Sequence, residues 1–200
     1  MMRHKSKIRF FLLAIALGLH ATCIFADYIY QDDRSPKAYG SVKAYLEYVY
    51  DGDTIKVNIP NYPSILGKGI LVRVARLDAP EMTSKHPLVR PLARRIQQYV
   101  EMRAKNAKTI WLTNMRRDKY FRILAEVWFD GHNLSDRLLE LGFVLPYDGG
   151  TKKSWDELMT DSWARSLNVK IDQAMRIDAN MPKINTTSLY ASFSSDSDYA

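Results

Sequence analysis

The sequence predicts an α+β fold that is mainly β: a five-stranded, partly open barrel with about three helices packed on it. Two observations support this fold class. Short apolar segments occur in the order strands, helix, strands and two helices, and Gly, Pro and Asn residues separate them. The spacing of apolar residues also changes between a period of two and a period near that of a helix from one segment to the next.

Two strands are predicted in the first half of the chain. Residues 54–59 alternate apolar and polar side chains, which indicates a half-buried strand, and Pro60 ends it. Residues 70–77 form a second strand that follows Gly69. With side chains alternating along it, Arg73 shares one face with Leu71, Ala75 and Leu77.

Two further strands are predicted at residues 109–112 and 122–129. Asp130 and Gly131 follow the second of them and are typical of a tight hairpin turn. The strands therefore come in two groups, one on each side of a helical segment.

Three helices are expected, from Pro91 to about Asn106, between Asn133 and Gly142, and from residue 153 or 154 to about Ile177. Proline suits the first turn of a helix, where its missing N–H is not needed. Asn133 or Ser135 suits an N-cap, and Gly142 suits a C-terminal stop.

The chain is expected to contain a signal peptide at residues 1–26, an extended lead-in at 27–40, one domain at 41–178 and a disordered tail at 179–200. The first nine residues are basic and lack acids, and residues 10–25 are almost wholly apolar, as in a secretory signal. This apolar run is shorter than the roughly 20 residues of a membrane-spanning helix. We therefore expect a secreted or periplasmic protein; the alternative is an uncleaved signal that anchors the domain to the inner membrane.

Composition limits the kinds of site that the domain can carry. The single cysteine, Cys23, lies within the predicted signal peptide, so the mature chain should have no disulfide and no thiolate metal site. Four of the 29 Lys and Arg residues also lie there, which leaves 25 basic against 22 acidic residues and a net charge of +3. This excess is too small to indicate nucleic-acid binding by itself.

Two short acidic motifs carry candidate metal ligands. Asp51 and Asp53 flank Gly52, and Thr54 follows them; the segment is either a turn or a place where Asp53 binds a hard cation, with Asp51 and Thr54 behind it. Asp78 and Glu81 flank Ala79 and Pro80 at the end of the second strand. They form either an acidic turn with a helix N-cap, or a metal ligand beside a group that acts on water.

Two arginines carry candidate phosphate contacts. Arg73 lies five residues before Asp78, and a guanidinium binds a phosphate through two parallel hydrogen bonds. A salt bridge to an acid is the alternative for Arg73. Residues 116–122 interleave Tyr120 and Phe121 with cations and end at Arg122, which suits stacked bases beside phosphates.

These three segments, in this order and spacing, resemble the staphylococcal nuclease (thermonuclease) family. The resemblance covers residues 49–174 and rests on residues 49–54, 72–81 and 118–122. It implies a five-stranded oligonucleotide-binding (OB) barrel with three helices, and hydrolysis of phosphodiester bonds.

The resemblance also implies the role of each residue. Asp53 and Asp78 would hold Ca²⁺ together with the backbone carbonyl of Ala79. Glu81 would orient or deprotonate the attacking water. Arg73 and Arg122 would bind the scissile phosphate and stabilise the charge that develops on it.

The remaining implications concern the substrate. Lys119 and Tyr120 would contact a neighbouring phosphate, and Tyr147 is a candidate for base contact. The substrates would be DNA and RNA, cut within the strand and from its ends to leave 3′-phosphates. We expect a monomer without an obligate protein partner, and membrane contact only if the signal segment stays uncleaved.

Two other functions fit parts of the sequence. One is a catalytically silent binding module of the same fold. The presence of all five charged residues with implied catalytic or metal-binding roles disfavours it: Asp53, Arg73, Asp78, Glu81 and Arg122. The other is a nuclease with a histidine base at His132, although residues 130–133 also suit a hairpin turn and a helix cap. Metal-dependent cleavage of DNA and the effect of His132→Ala would separate these alternatives.

Overall fold

The computed structural model describes residues 40–118, 120 and 122–179. The predicted signal peptide, the lead-in up to residue 39, the tail from residue 180, Lys119 and Phe121 lie outside these described residues. The strands are β1 Val42–Asp51, β2 Thr54–Asn58, β3 Ile70–Val74, β4 Leu77–Asp78, β5 Ile110–Arg117, β6 Ile123–Phe129, β7 His132–Asn133 and β8 Leu145–Pro146. The helices are α1 Ser64–Gly67, α2 Val89–Asn106, α3 Leu134–Leu141, α4 Trp155–Leu158 and α5 Asp161–Ala179.

Five of the strands close into a barrel. They pair in the order β3-β2-β1-β5-β6, and β6 then pairs with β3 to complete the circle. The pair β3–β6 is parallel and the other pairs are antiparallel. This arrangement confirms the predicted α+β fold, with α2, α3 and α5 as the three longer helices and α1 and α4 as two single turns. Among these described helices, none is long and apolar enough to span a bilayer.

Helix α2 lies against the barrel and reaches the turn that precedes β2. Its residues Leu92, Ile96 and Tyr99 are fully or almost fully buried in the core. A Cβ atom at Gly52 would lie 2.9 Å from Ile96 Cγ2 and 2.9 Å from Ala79 Cβ, so only glycine allows this approach. The helix thus fixes the turn between β1 and β2 against the segment that follows β4.

Strand β1 was not predicted, because the sequence analysis placed the first strand at residue 54. The register of β1 with β2 is interrupted between Leu46 and Tyr48 and again between Val49 and Asp51. Each bulge adds one residue and shifts the alternation of buried and exposed side chains. The period of two that reveals a strand in a sequence is therefore lost in β1.

The predicted strand at residues 70–77 is two strands, which corrects the expected faces. β3 ends at Val74, and Arg76 adopts a φ of 69° before β4 begins at Leu77. This left-handed residue turns the chain, so that Leu77 is buried while Arg76 is exposed. Side chains before and after the turn do not share one face.

The remaining elements combine confirmed and corrected predictions. The hairpin at Asp130 and Gly131 is confirmed, since both have positive φ and join β6 to β7. The Asn133 side chain accepts hydrogen bonds from the N–H groups of Ser135 and Asp136, and Gly142 ends α3 with a φ of 71°. Three boundaries were wrong: α2 begins at Val89, β5 continues to Arg117, and the last helix is divided into α4 and α5.

The division of the last helix follows from two caps. The Ser154 side chain accepts a hydrogen bond from Glu157 N and starts α4, while the Thr160 hydroxyl accepts one from Trp163 N at the start of α5. Met159 between them has an extended backbone. The apolar spacing across residues 154–177 is close enough to helical that the sequence hides this break.

A buried carboxylate ties the end of α5 to two other helices. The Asp178 side chain is completely buried and pairs with Arg103 of α2 at 3.2 Å and Arg137 of α3 at 3.1 Å. It also accepts a hydrogen bond from the Tyr99 hydroxyl. Burial, together with this carboxylate, raises the pKa of Tyr99 above its usual range.

Replacing this carboxylate should destabilise the domain strongly. In Asp178→Asn, Arg103 and Arg137 lose the partner that compensates their burial, which typically costs about 3 kcal/mol. Urea unfolding should show this decrease in the free energy of unfolding. Asp172→Asn is a control on the same helix, because the Asp172 side chain is 51% exposed and its replacement should change stability little. Equal stability of the two variants would show that Asp178 does not stabilise the contact between the helices.

Candidate active site

An open cleft of about 720 Å³ lies beside β3 and collects most of the charged residues singled out in the sequence. Its basic lining residues are Arg73, Arg76, Arg116, Arg122 and Lys152. Its acidic lining residues are Asp51, Glu81, Asp118 and Asp148. Such a mixture of cations and carboxylates is expected where a metal and an anion meet.

Asp53 lies at the turn before β2 and is 2% exposed. Its Oδ2 accepts a hydrogen bond from Ala79 N at 2.9 Å, and its Oδ1 accepts one from the Thr54 hydroxyl at 3.0 Å. Oδ1 also pairs with Arg73 Nη1. Asp53 is therefore held directly beside the backbone of Ala79, which the resemblance pairs with it as a ligand.

Asp78 ends β4 and is held in place by β8, in which Leu145 is its partner. Its side chain is 5% exposed, and Oδ2 accepts a hydrogen bond from Trp155 Nε1 at 3.2 Å. Oδ1 lies 3.3 Å from Arg73 Nη2 and also pairs with Lys152 Nζ. Among the described residues, the Asp78 carboxylate is thus bound by three N–H donors, from Trp155, Arg73 and Lys152.

Arg73 joins the two aspartates. Its Nη1 pairs with Asp53, and its Nη2 bonds both Asp78 and the carbonyl of Leu77, the latter at 3.2 Å. Burial lowers the pKa of Arg73, and the charges of Asp78 and Asp51 oppose this effect. One guanidinium thus holds two carboxylates that come from segments 25 residues apart in the sequence.

Asp51 lines the cleft, whereas the predicted arrangement placed it behind Asp53. Its Oδ1 accepts a hydrogen bond from Asp53 N at 3.0 Å. Burial raises the pKa of Asp51, while bonding to Thr54 and the charge of Arg73 act in the opposite direction. A carboxylate disfavoured by burial yet surrounded by cations is common in functional sites.

Glu81 lies at the mouth of the cleft with its side chain 55% exposed. Its Oε1 is 3.4 Å from Lys152 Nζ, and the same ammonium pairs with Asp78. Lys152 therefore bridges Glu81 and Asp78.

Arg122 lines the same cleft. Its Nε and Nη2 both donate to Asp118 Oδ2, at 2.9 and 2.6 Å. Its guanidinium carbon lies 5.3 Å from the centre of the exposed Tyr120 ring. Arg122 is thus oriented by Asp118 rather than by Asp53 or Asp78, and Lys119 between them lies outside the described residues.

Tyr147 lies on the loop after β8, and this loop lines the cleft. Its N–H donates to the carbonyl of Arg76 at 3.0 Å, and its hydroxyl donates to the carbonyl of Gly150 at 3.1 Å. Lys152 Nζ lies 5.7 Å from the centre of its ring. Six of the described candidate residues thus line the cleft: Asp51, Arg73, Glu81, Tyr120, Arg122 and Tyr147. The other four, Asp53, Thr54, Asp78 and Ala79, are buried and do not line it; Asp53 and Asp78 are joined to it through Arg73.

Three residues that bind the candidate side chains were missed by the sequence analysis. Lys152 and Trp155 both bind the Asp78 carboxylate, and Asp118 orients Arg122. The paired glycines at 149 and 150, after the singled-out Tyr147, could have marked this loop as part of the site. Nothing in the sequence pairs a lysine on that loop with an aspartate more than 70 residues away.

A closed five-stranded barrel with packed helices, bearing acids and arginines in one cleft, defines a domain of the oligonucleotide-binding fold. The family model described as staphylococcal nuclease homologue matches residues 71–170, half of the 200-residue chain. The chain belongs to this family. It is a family of nuclease-like proteins, so membership indicates a nuclease-type hydrolase with nucleic acid as substrate. The comparison with curated proteins gives no match.

Proposed function

We propose that this protein is a Ca²⁺-dependent nuclease that hydrolyses phosphodiester bonds of DNA and RNA and leaves 3′-phosphate ends. The observation that carries the proposal is Arg73, which lines the open cleft and pairs with both buried aspartates, Asp53 and Asp78. We further propose that it acts as a monomer in the periplasm or outside the cell, as the predicted signal peptide suggests.

The donor set fits a hard divalent cation. In the part of the chain that the structure describes, no three His, Cys, Asp or Glu side chains form a metal cluster. The two aspartates nevertheless converge on one cation, Arg73, and Ala79 lies beside Asp53. Asp53, Asp78 and the carbonyl of Ala79 would hold Ca²⁺, which prefers such oxygen ligands and would supply Lewis-acid stabilisation of the phosphate.

The side chains around these ligands would divide the chemistry between them. Glu81 is exposed to the cleft, where its carboxylate can accept the proton of an attacking water. Arg73 and Arg122 line the same cleft and can donate to the phosphate oxygens as charge develops on them. Asp118 holds the Arg122 guanidinium through two hydrogen bonds before substrate arrives.

A silent binding module remains the competing proposal, because Arg73 and Lys152 already neutralise the carboxylates that would hold the metal. Digestion of single-stranded DNA, duplex DNA and RNA by the purified protein separates the two. We expect cleavage with Ca²⁺, less or none with Mg²⁺ and none with chelator, and end-group analysis should find 3′-phosphates. Absence of cleavage with Ca²⁺ would favour the binding module.

His132→Ala serves as the control for the alternative histidine base. His132 lies in the short strand β7 after the hairpin, and its neighbours Asp130 and Asn133 serve the turn and the helix cap. We expect this variant to keep its activity. A loss of several orders of magnitude would support the histidine mechanism.

A further inference from the structure

The outer face of β1 carries a row of exposed aromatic side chains. Tyr45 and Tyr48 on this face expose 54% and 50% of their surface, and Tyr50, in the bulge between Val49 and Asp51, exposes 57%. Single exposed apolar residues are ordinary, but contiguous groups of them usually mark a binding surface. Tyrosines are favoured in such surfaces because a rigid ring combines apolar area with a polar end.

The strand register places this row beside the candidate site. Asp51 pairs with Thr54, and Thr54 pairs with Arg73, which forms one row across the three strands. The next row is Tyr48, Lys56 and Leu71, and the one after it begins with Tyr45 and Asn58. Successive rows on one face of a sheet are about 7 Å apart. Tyr48 and Tyr45 therefore lie on the same face of the sheet as Arg73, one and two rows away from it.

The alternation of burial shows that the rows of Tyr48 and Tyr45 face outward, whereas Thr54 and Arg73 of the first row are 3% and 9% exposed. Val49, Ile55 and Val72 form the row between the first two, and each is at most 1% exposed in the barrel core. The two bulges of β1 each add a residue, so Tyr45, Tyr48 and Asp51 share the outer face although they are spaced three positions apart instead of two. The irregularities that hide β1 in the sequence thus align its tyrosines with the site.

The charges on this surface suit a polyanion. Lys43 Nζ lies 5.6 Å from the centre of the Tyr45 ring. Lys56 pairs with Glu47 at 2.7 Å, and these two side chains are 38% and 37% exposed. Exposed pairs of this kind contribute little free energy, so a phosphate can compete with Glu47 for Lys56. Two lysines against one acid leave the surface positive.

We propose that this tyrosine track, defined as Lys43, Tyr45, Tyr48, Lys56 and Leu71, binds a single-stranded nucleic acid whose adjacent phosphodiester lies in the cleft. The proposal rests on the proposed nuclease function and extends it to substrate class. Bases stack on Tyr45 and Tyr48, and Lys43 and Lys56 contact the phosphates between them. A duplex buries its base faces in its own stack, so the track favours unpaired strands.

Binding measured in chelator, where the proposed nuclease does not cut, tests the track directly. Fluorescence anisotropy would compare wild type, Tyr48→Leu and Tyr45→Leu/Tyr48→Leu on long and short single-stranded oligonucleotides. Removing a stacking ring costs about 1–3 kcal/mol per base, so affinity for long strands should fall about tenfold for each ring. Tyr48→Phe should bind like wild type, because it keeps the ring and loses only the hydroxyl.

Matched controls separate the track from general effects. Tyr62 is a tyrosine of similar exposure, 47%, on the loop between β2 and β3, and Tyr62→Leu should bind as wild type does. The leucine variants should also lower kcat/KM for long strands about tenfold relative to that for a dinucleotide, which is too short to reach the track. Affinity for duplex DNA should change much less.

The binding and cleavage results either support or overturn the tyrosine track. Unchanged binding of long single strands by the double variant, or an equal loss for duplex DNA, would overturn the track. A loss in Tyr48→Phe as large as in Tyr48→Leu would show that the hydroxyl matters instead of the ring. If the wild type cuts the dinucleotide and the variants bind long strands normally, only the track is wrong; if the wild type neither binds nor cuts nucleic acid, the proposed function fails as well.

Discussion

Arg73→Met should abolish most nuclease activity and destabilise the metal-free protein at the same time. The arginine is 9% exposed and holds both Asp53 and Asp78, so its removal leaves two buried carboxylates without this partner. Breaking a buried pair of this kind costs about 3 kcal/mol, and losing a preorganised donor to the transition state lowers turnover about a hundredfold or more. Urea unfolding in chelator and the rate of DNA cleavage with Ca²⁺ measure the two effects.

Calcium should restore part of the lost stability in this variant. A divalent cation bound by Asp53 and Asp78 supplies the positive charge that methionine lacks, whereas it cannot replace the phosphate contact. Arg94→Met, at an exposed position on α2, is the control and should change neither property. If Arg73→Met unfolds at the same urea concentration with and without Ca²⁺, the two aspartates do not form the metal site.

Asp53→Asn should remove Ca²⁺-dependent cleavage while the fold survives. The amide keeps the shape of the side chain and an oxygen for the N–H of Ala79, but it lacks the charge that a hard cation requires. Turnover should fall about a hundredfold or more, because the charge stabilisation supplied through this ligand is lost. Calorimetric titration with Ca²⁺ should show much weaker binding.

The exposed Asp172→Asn exchange on α5 is the matched control for Asp53→Asn, since it removes one carboxylate charge remote from the cleft. It should leave both turnover and Ca²⁺ binding unchanged. Normal turnover in Asp53→Asn would refute the assignment of this ligand. Normal Ca²⁺ binding with lost turnover would instead place the role of Asp53 in the chemical step.

The sequence was most informative where function depends on short segments. The segments around Asp53, Arg73 and Asp78 predicted one shared location, and the structure brings these residues into direct contact. The mainly β fold with packed helices was also predictable, because β2 alternates apolar and polar residues and turn residues separate the short apolar segments. The hairpin turn at Asp130 and the glycine that ends α3 have strong local preferences, which fix them without tertiary information.

Prediction was weaker where tertiary contacts decide the structure. The bulges of β1 and the left-handed Arg76 break the alternation on which strand prediction depends. Lys152 reaches Asp78 only because β8 pairs with β4, a contact that no local pattern encodes. The pairing of Arg122 with Asp118 likewise depends on how the connection between β5 and β6 folds back.

The bridge that Lys152 forms between Asp78 and Glu81 means that the acidic centre carries its own counterions. Lys152 relieves the mutual repulsion of these carboxylates when no metal is present, so the chain can fold with the candidate site already formed. A bound metal would have to displace Lys152, whose side chain is 43% exposed, from Asp78, and it would also have to compete with Arg73 for both aspartates. Under the proposed function, Ca²⁺ would be needed for activity but not for folding.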